Sequence, residues 1–314
     1  MKIKKELPIL FFIIAVLLFY INSETNDKTN YALPKLDEIA AADITMLTIK
    51  KADTEIKIWL KDDKWVVGKK EFPADKGLID DMLKTINGLK LNALASERKN
   101  YTAYQLDDKQ KIIISVFAGD RLLRTVHIGK PVSSYGQTFV MIDDDHRVYH
   151  SQGNFRDSFD QSESYVRDKA VLTLSGEIAS LKLTRPDNTL TLKRASAPIS
   201  IAAQDQAGSS APAVSSVQKW ITADGRNAVD DEVNRLARTI RELHCEIFIE
   251  DMAKTDFRDP IFTATITGAN THTLTIFKKD GEQYPAISSD RDHPFYLNKW
   301  DAERIMVDFQ ILVK

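Results

Sequence analysis

Apolar and polar residues alternate in two well-separated stretches of the chain. From Ile44 it reads "ITMLTIKKADTEIKIW", and from Ile178 it reads "IASLKLTRPDNTLTLK". Every second side chain is apolar on either side of a short polar interruption, the period of a strand with one buried face, so each stretch predicts a β-hairpin. Ile44, Leu47, Ile49, Asp53, Ile56 and Ile58 are answered by Ile178, Leu181, Leu183, Asp187, Leu190 and Leu192, every pair 134 positions apart. A constant offset over such a length marks an internal repeat.

The repeat continues. "DDKWVV" (62–67) is answered by "VQKWIT" (217–222), with Lys64 and Trp65 lying 155 positions before Lys219 and Trp220. The larger offset reflects extra residues at 195–216, "ASAPISIAAQDQAGSSAPAVSS", whose only charge is Asp205. Such a composition buries too little apolar area to offset the entropy of ordering, which predicts a flexible surface insertion.

After each tryptophan the period changes from two to about 3.6. Ile79, Met82, Leu83, Ile86 and Leu89 form one helical stripe, and Val233, Leu236, Ala237, Ile240 and Leu243 repeat it 154 positions later. Asp75 and Asp230 are candidate caps for the starts of these helices, and Gly88 suits the end of the first. Strands resume afterwards. "TVHIGK" is answered by "TLTIFK" at an offset of 148, and "DDDHRVY" by "DRDHPFY" at 147, which pairs Asp145, His146 and Tyr149 with Asp292, His293 and Tyr296. The predicted fold class is α+β, with two tandem copies of a mostly antiparallel β module, one packed helix in each. The modules occupy residues 44–170 and 171–314, preceded by a linker at 24–43.

The first residues, "MKIKKELPILFFIIAVLLFYINSETND", set Lys2, Lys4 and Lys5 before an apolar run at 7–21. At a rise of about 1.5 Å per residue that run spans about 22 Å, short of the roughly 30 Å hydrocarbon core unless its flanks contribute. Two readings compete for residues 1–23, a cleaved secretory signal and a retained, single-pass membrane anchor; no small-x-small cleavage pattern follows, and there is no cysteine for lipoprotein processing, which favours the anchor. The lysines stay cytoplasmic and the body lies outside the cytoplasm.

Composition narrows the function classes. A formal net charge of −2 provides no basic footprint for nucleic acid. Cys245 is the only cysteine. It excludes an intramolecular disulfide, and its apolar setting reads as a small buried hydrophobe. No G-x-S-x-G elbow, phosphate-binding loop, dinucleotide fingerprint or H-E-x-x-H helix is present. The densest polar cluster is "DDDHRVYH", with Asp143, Asp144, Asp145, His146 and His150. On a strand the two imidazoles would stand about 13 Å apart, too far for one ion, so the segment reads as a solvated turn. Trp65 and Trp220 read as packing over the helices and not as stacking platforms for glycans. Asp301 and Glu303 in "KWDAER" read as solvent-facing. No catalytic, cofactor-binding or metal-ligating residue is assigned, and no cofactor is expected.

The Lys-flanked anchor, the "DDKWVV" strand, the "FPAD" helix start, the "YQLDD" turn, the "VHIGKPVSSYGQTFVMI" hairpin with its "VY" strand, and the "VRDKAVL" junction together resemble one family. It is a bacterial family of membrane-anchored domains of unknown function, encoded beside gliding-motility-type ABC transporters, and the resemblance covers nearly the whole chain. It implies a non-enzymatic accessory or scaffolding protein of the inner membrane, with a periplasmic body and an ABC permease or another envelope protein as partner. Residues 195–216 depart from the pattern, as does Phe277 in the place of Gly129. The competing expectation is an envelope hydrolase acting on glycan or peptide through carboxylates between the modules, Asp301 among them. A third is a spacer that sets distance from the membrane.

Overall fold

A computed structural model describes residues 14–16, 31–133, 136–197 and 217–314. They are mostly β: two antiparallel sheets with few helices. The first sheet contains β1 (Met46–Lys51), β2 (Thr54–Lys61), β3 (Lys64–Val67), β4 (Phe72–Pro73), β5 (Leu91–Ser96), β6 (Ile112–Ala118), β7 (Arg121–Val132), β8 (Gln137–Ile142) and β9 (Val148–Gln152). Its order is β4-β3-β2-β1-β6-β7-β8-β9-β5. The second contains β10 (Ser180–Thr184), β11 (Thr189–Ala197), β12 (Val217–Thr222), β13 (Ile247–Phe248), β14 (Phe262–Thr267), β15 (Thr271–Ile276), β16 (Gln283–Ser288) and β17 (Phe295–Asn298), in the order β12-β11-β10-β14-β15-β16-β17-β13. Apart from β4, the two orders match strand for strand.

The α+β expectation gave helices too much weight. The two amphipathic helices, α1 (Lys76–Asn87) and α2 (Asp230–Arg241), have 12 residues each, and the rest are short pieces such as α3 (Lys299–Ile305). Period-two alternation runs through most of the remaining chain, and a further edge strand, β5 or β13, follows each long helix. The anchor expected at 1–23 lies outside the described residues apart from a helical turn at 14–16. Among the described residues no helix is long and apolar enough to cross a membrane.

The hairpins pair as their alternation requires. Leu47 faces Ile58 and Ile49 faces Ile56. Leu181 faces Leu192 and Leu183 faces Leu190. All but Ile56 and Leu190 among these are 1% exposed or less. Ile79, Met82, Leu83 and Ile86 of α1, and Val233, Leu236, Ala237 and Ile240 of α2, are the buried residues of their helices. Asp230 is not the cap expected: Val229 holds that position, and the Asp230 carboxylate accepts the Trp220 N–H at 2.7 Å.

β2 and β3 are joined by Asp62 and Asp63, both in the left-handed region (φ 47° and 61°), the geometry that suits a two-residue hairpin turn. In the second sheet Ala197 pairs with Val217, so residues 198–216 stand in the place of that turn. The insertion expected to be flexible therefore lies outside the described residues except at 195–197, which belong to β11.

At the last hairpin the strands of the two sheets correspond at an offset of 146 (286 − 140), one less than the 147 of the sequence match. Tyr149 pairs with Val140, and Phe295 with Ala286. The N–H of Asp143 donates to Thr125 O, and that of Ser289 to Thr273 O. Phe295, not Tyr296, thus takes the place of Tyr149, and both are fully buried. A one-residue slip would turn the opposite face inward, which is why burial and not the aspartate-rich turn decides the match.

Contacts divide the chain into two compact units, residues 1–63 with 77–162 and residues 64–76 with 163–314. The second unit thus takes in β3 and β4 from the first half of the sequence.

Candidate functional site

In the second unit charged side chains converge at the turn 288–294, "SSDRDHP", which leads from β16 into β17. A tight turn is polar by necessity, since its backbone groups lack ladder partners. Here three of its side chains, Asp290, Arg291 and His293, are turned to other segments.

Asp290 is 9% exposed. It accepts from the Thr173 N–H at 2.7 Å, the Thr173 hydroxyl at 2.6 Å, the Ser289 hydroxyl at 2.5 Å and His272 Nδ1 at 2.8 Å. Burial alone would raise its carboxyl, but the hydrogen bonds from Ser289, Thr173 and His272 outweigh it and hold the group well below the usual carboxylate range. Arg291 pairs with Asp168 at 2.5 Å and donates to Ala170 O. The His293 ring lies 4.3 Å from the Phe72 ring, with Nε2 3.2 Å from Lys70 O.

Phe72 is 1% exposed. The Arg167 guanidinium lies over its face at 3.7 Å, and Phe248 is 5.1 Å away. Arg167 also reaches Glu163 and Glu250, each at 2.7 Å. Lys254 donates to Ser288 O at 2.7 Å; burial lowers its ammonium, and Asp292 and Asp290 partly restore it.

In the first unit Arg124 occupies the position of His272. It is 4% exposed and donates to the carbonyls of Ile86 and Asp37. Asp37 leads into β1 as Thr173 leads into β10, so both units fasten the entering chain by a charged group, with different chemistry.

Elsewhere the candidates from sequence are placed as follows. Asp143 accepts the Thr125 N–H at 2.7 Å, and Asp145 binds Arg147 and the Tyr149 hydroxyl, each at 2.7 Å. His146 lies in the turn, its carbonyl accepting from Tyr101 at 3.2 Å, while His150 sits on β9 against Phe139. Among the described residues no group of three or more His, Cys, Asp or Glu is arranged to hold a metal ion. Burial pushes the Cys245 thiol up to about 12, so it stays protonated and unreactive. Trp220 is 2% exposed and donates from Nε1 to Asn234 of α2 at 2.9 Å, whereas Trp65 is only half-buried.

The Asp301 carboxylate accepts from Asn298 Nδ2 at 2.6 Å, while Asn298 Oδ1 caps α3 through the Asp301 N–H at 2.9 Å. Glu303 accepts from the Tyr284 hydroxyl at 3.3 Å and borders a 340 Å³ groove between α2 and α3. One carboxylate is thus part of a helix cap and the other is tied to a strand, which suits fold maintenance better than joint acid–base work.

Sequence reading missed the grip of the second turn because its partners are distant. Thr173 is 117 positions from Asp290, Asp168 is 123 from Arg291, and Lys70 is 223 from His293. The available signal was the run of three charged residues, Arg167, Asp168 and Lys169, inside the apolar-flanked "VRDKAVL".

His127 and His150 give a pH-dependent property. Burial holds both below the usual histidine range, for His127 with the help of Lys111 and against Asp108, Asp143 and Asp144. Nδ1 of each is buried without a partner. A folded value below the unfolded one, about 6.5, means that the unfolded chain takes up protons first. Stability is therefore complete above about 6.5 and declines as the pH falls toward the folded values. The melting temperature should drop between pH 7.5 and 5.5, and His150→Phe should flatten that slope.

One family model matches residues 59–260, described as a domain of unknown function, DUF4340. No curated protein and no solved structure matches the chain. With more than half of its length covered, the chain belongs to the DUF4340 family of domains of unknown function.

Proposed function

We propose that the protein is a non-enzymatic, membrane-anchored accessory or scaffolding protein outside the cytoplasm, associated with an ABC-type transporter of the bacterial envelope and built from two tandem copies of one module. The Lys-flanked apolar run at 7–21 supports the anchor. The modules, 44–170 and 171–314, are supported by hydrogen bonds that recur at matching places. Ala74 N–H donates to Trp65 O as Ala228 does to Trp220 O, and Asp168 N–H donates to Pro73 O as Lys314 does to Asn227 O. Each closing segment therefore seals the hairpin that carries its module's tryptophan.

The observation that carries the scaffolding reading is the engagement of Asp145 and Asp290, whose carboxyls are held well below the usual carboxylate range. Hydrogen bonds from Arg147 and Tyr149 to the first, and from Ser289, Thr173 and His272 to the second, tie both to partners within the chain, in roles that position segments. Catalytic groups are instead poised toward an open reaction space. A body rigidified in this way suits holding partners in register. Crosslinking in cells followed by purification in mild detergent should recover an ABC permease with the protein; its repeated recovery alone would contradict the proposal.

A further inference from the structure

The outward face of the first sheet carries a row of apolar side chains where the second sheet is polar. Met46 pairs with Trp59 on one side and Phe117 on the other, and Phe117 pairs with Leu122. The corresponding row of the second sheet is Lys193, Ser180, Thr267 and Thr271, joined by the same pairings. One strand order thus tolerates either chemistry at these four positions, and core packing does not require Trp-Met-Phe-Leu there. Leu122 is 52% exposed, while Met46, Trp59 and Phe117 are half-buried. Lys57 lies 5.7 Å from the Trp59 ring, and Lys50 and Arg121 are exposed nearby, with Glu55 opposite Lys50. A concavity of 450 Å³ over this face is lined by Met46, Lys50, Lys57, Ile113 and Phe117.

Chain length selects the occupant. The apolar run ends at Ile21, and the chain is already fastened to the first unit at Asp37, whose carbonyl accepts from Arg124. Residues 22–36, even fully extended, reach only about 50 Å. The unit bearing the apolar row is thereby kept close to the bilayer, and tryptophan with flanking lysine is the pairing that favours a lipid–water interface. We propose that this face of the first sheet docks on the surface of the bilayer that anchors the chain, with Trp59, Met46, Phe117 and Leu122 among the headgroups and Lys50, Lys57 and Arg121 toward lipid phosphates. The inference rests on the membrane-anchored reading above.

The test uses the full chain reconstituted into phosphatidylcholine–phosphatidylglycerol vesicles whose acyl chains are brominated near the headgroups. Subtracting the emission of a Trp59→Phe variant isolates Trp59. Docking predicts that bromination quenches the Trp59 emission, since a tryptophan at the headgroup level lies within contact of the bromines. It also predicts that Met46→Ser with Phe117→Thr, which copies the second sheet, restores that emission while the melting temperature holds. Vesicle flotation separates the two ways to fail. Protein that floats with Trp59 unquenched keeps its anchor and overturns docking, including the case in which a second copy or another protein covers the face. Protein that does not float refutes the anchor, and docking falls with it.

Discussion

Phe72→Ala destabilises the second unit by about 3–5 kcal/mol, the usual cost of deleting a buried aromatic ring. The ring is 1% exposed and contacts Phe248, His293 and the Arg167 guanidinium. Its loss leaves a cavity beneath a cation that is itself only 7% exposed, and Arg167 Nε already lacks a partner. The effect should appear far from residue 72 in sequence. Hydrogen exchange at the amides of Glu246 and Ile249, which donate to Tyr296 O and Pro294 O, should accelerate by about a hundredfold or more. Unchanged protection there would mean that the hairpin at 64–76 contributes nothing to that unit.

Asp290→Asn costs about 2–4 kcal/mol, because the amide keeps the shape but removes the charge and places a donor where four donors converge. Thr173 is then released from the turn and His272 loses its acceptor. The sign with pH follows from the depressed carboxyl. A folded value below the unfolded one, about 3.9, gives stability that is present above that pH and lost as the pH falls through the folded value. Denaturant titrations at pH 7 and pH 3 should therefore show a smaller difference for the variant than for the parent chain. Equal differences would show that the Asp290 charge is not what fastens Thr173.

The hairpins were legible because alternation by two is a direct consequence of the strand pleat: Leu47, Ile49, Leu181 and Leu183 are buried as their spacing requires. The helical stripes were legible for the same reason at a different period. The last hairpin was misaligned because "DDDH" and "DRDH" match in composition, whereas strand register is set by which side chains face inward, and Phe295 occupies the inward place. The turn 288–294 looked like any polar turn. Its role depends on Thr173, Asp168 and Lys70, which tertiary folding alone brings to it, and no local pattern encodes such pairings. The apolar row on the first sheet was hidden for a related reason. Trp59, Met46, Phe117 and Leu122 come from four strands and become neighbours only through cross-strand pairing.

The proposed placement outside the cytoplasm is tested most directly by protease accessibility in spheroplasts, with an epitope at the carboxyl end. External protease should remove the epitope from intact spheroplasts, leaving a short fragment in the membrane fraction. Survival of the full chain until the cells are lysed would contradict the account.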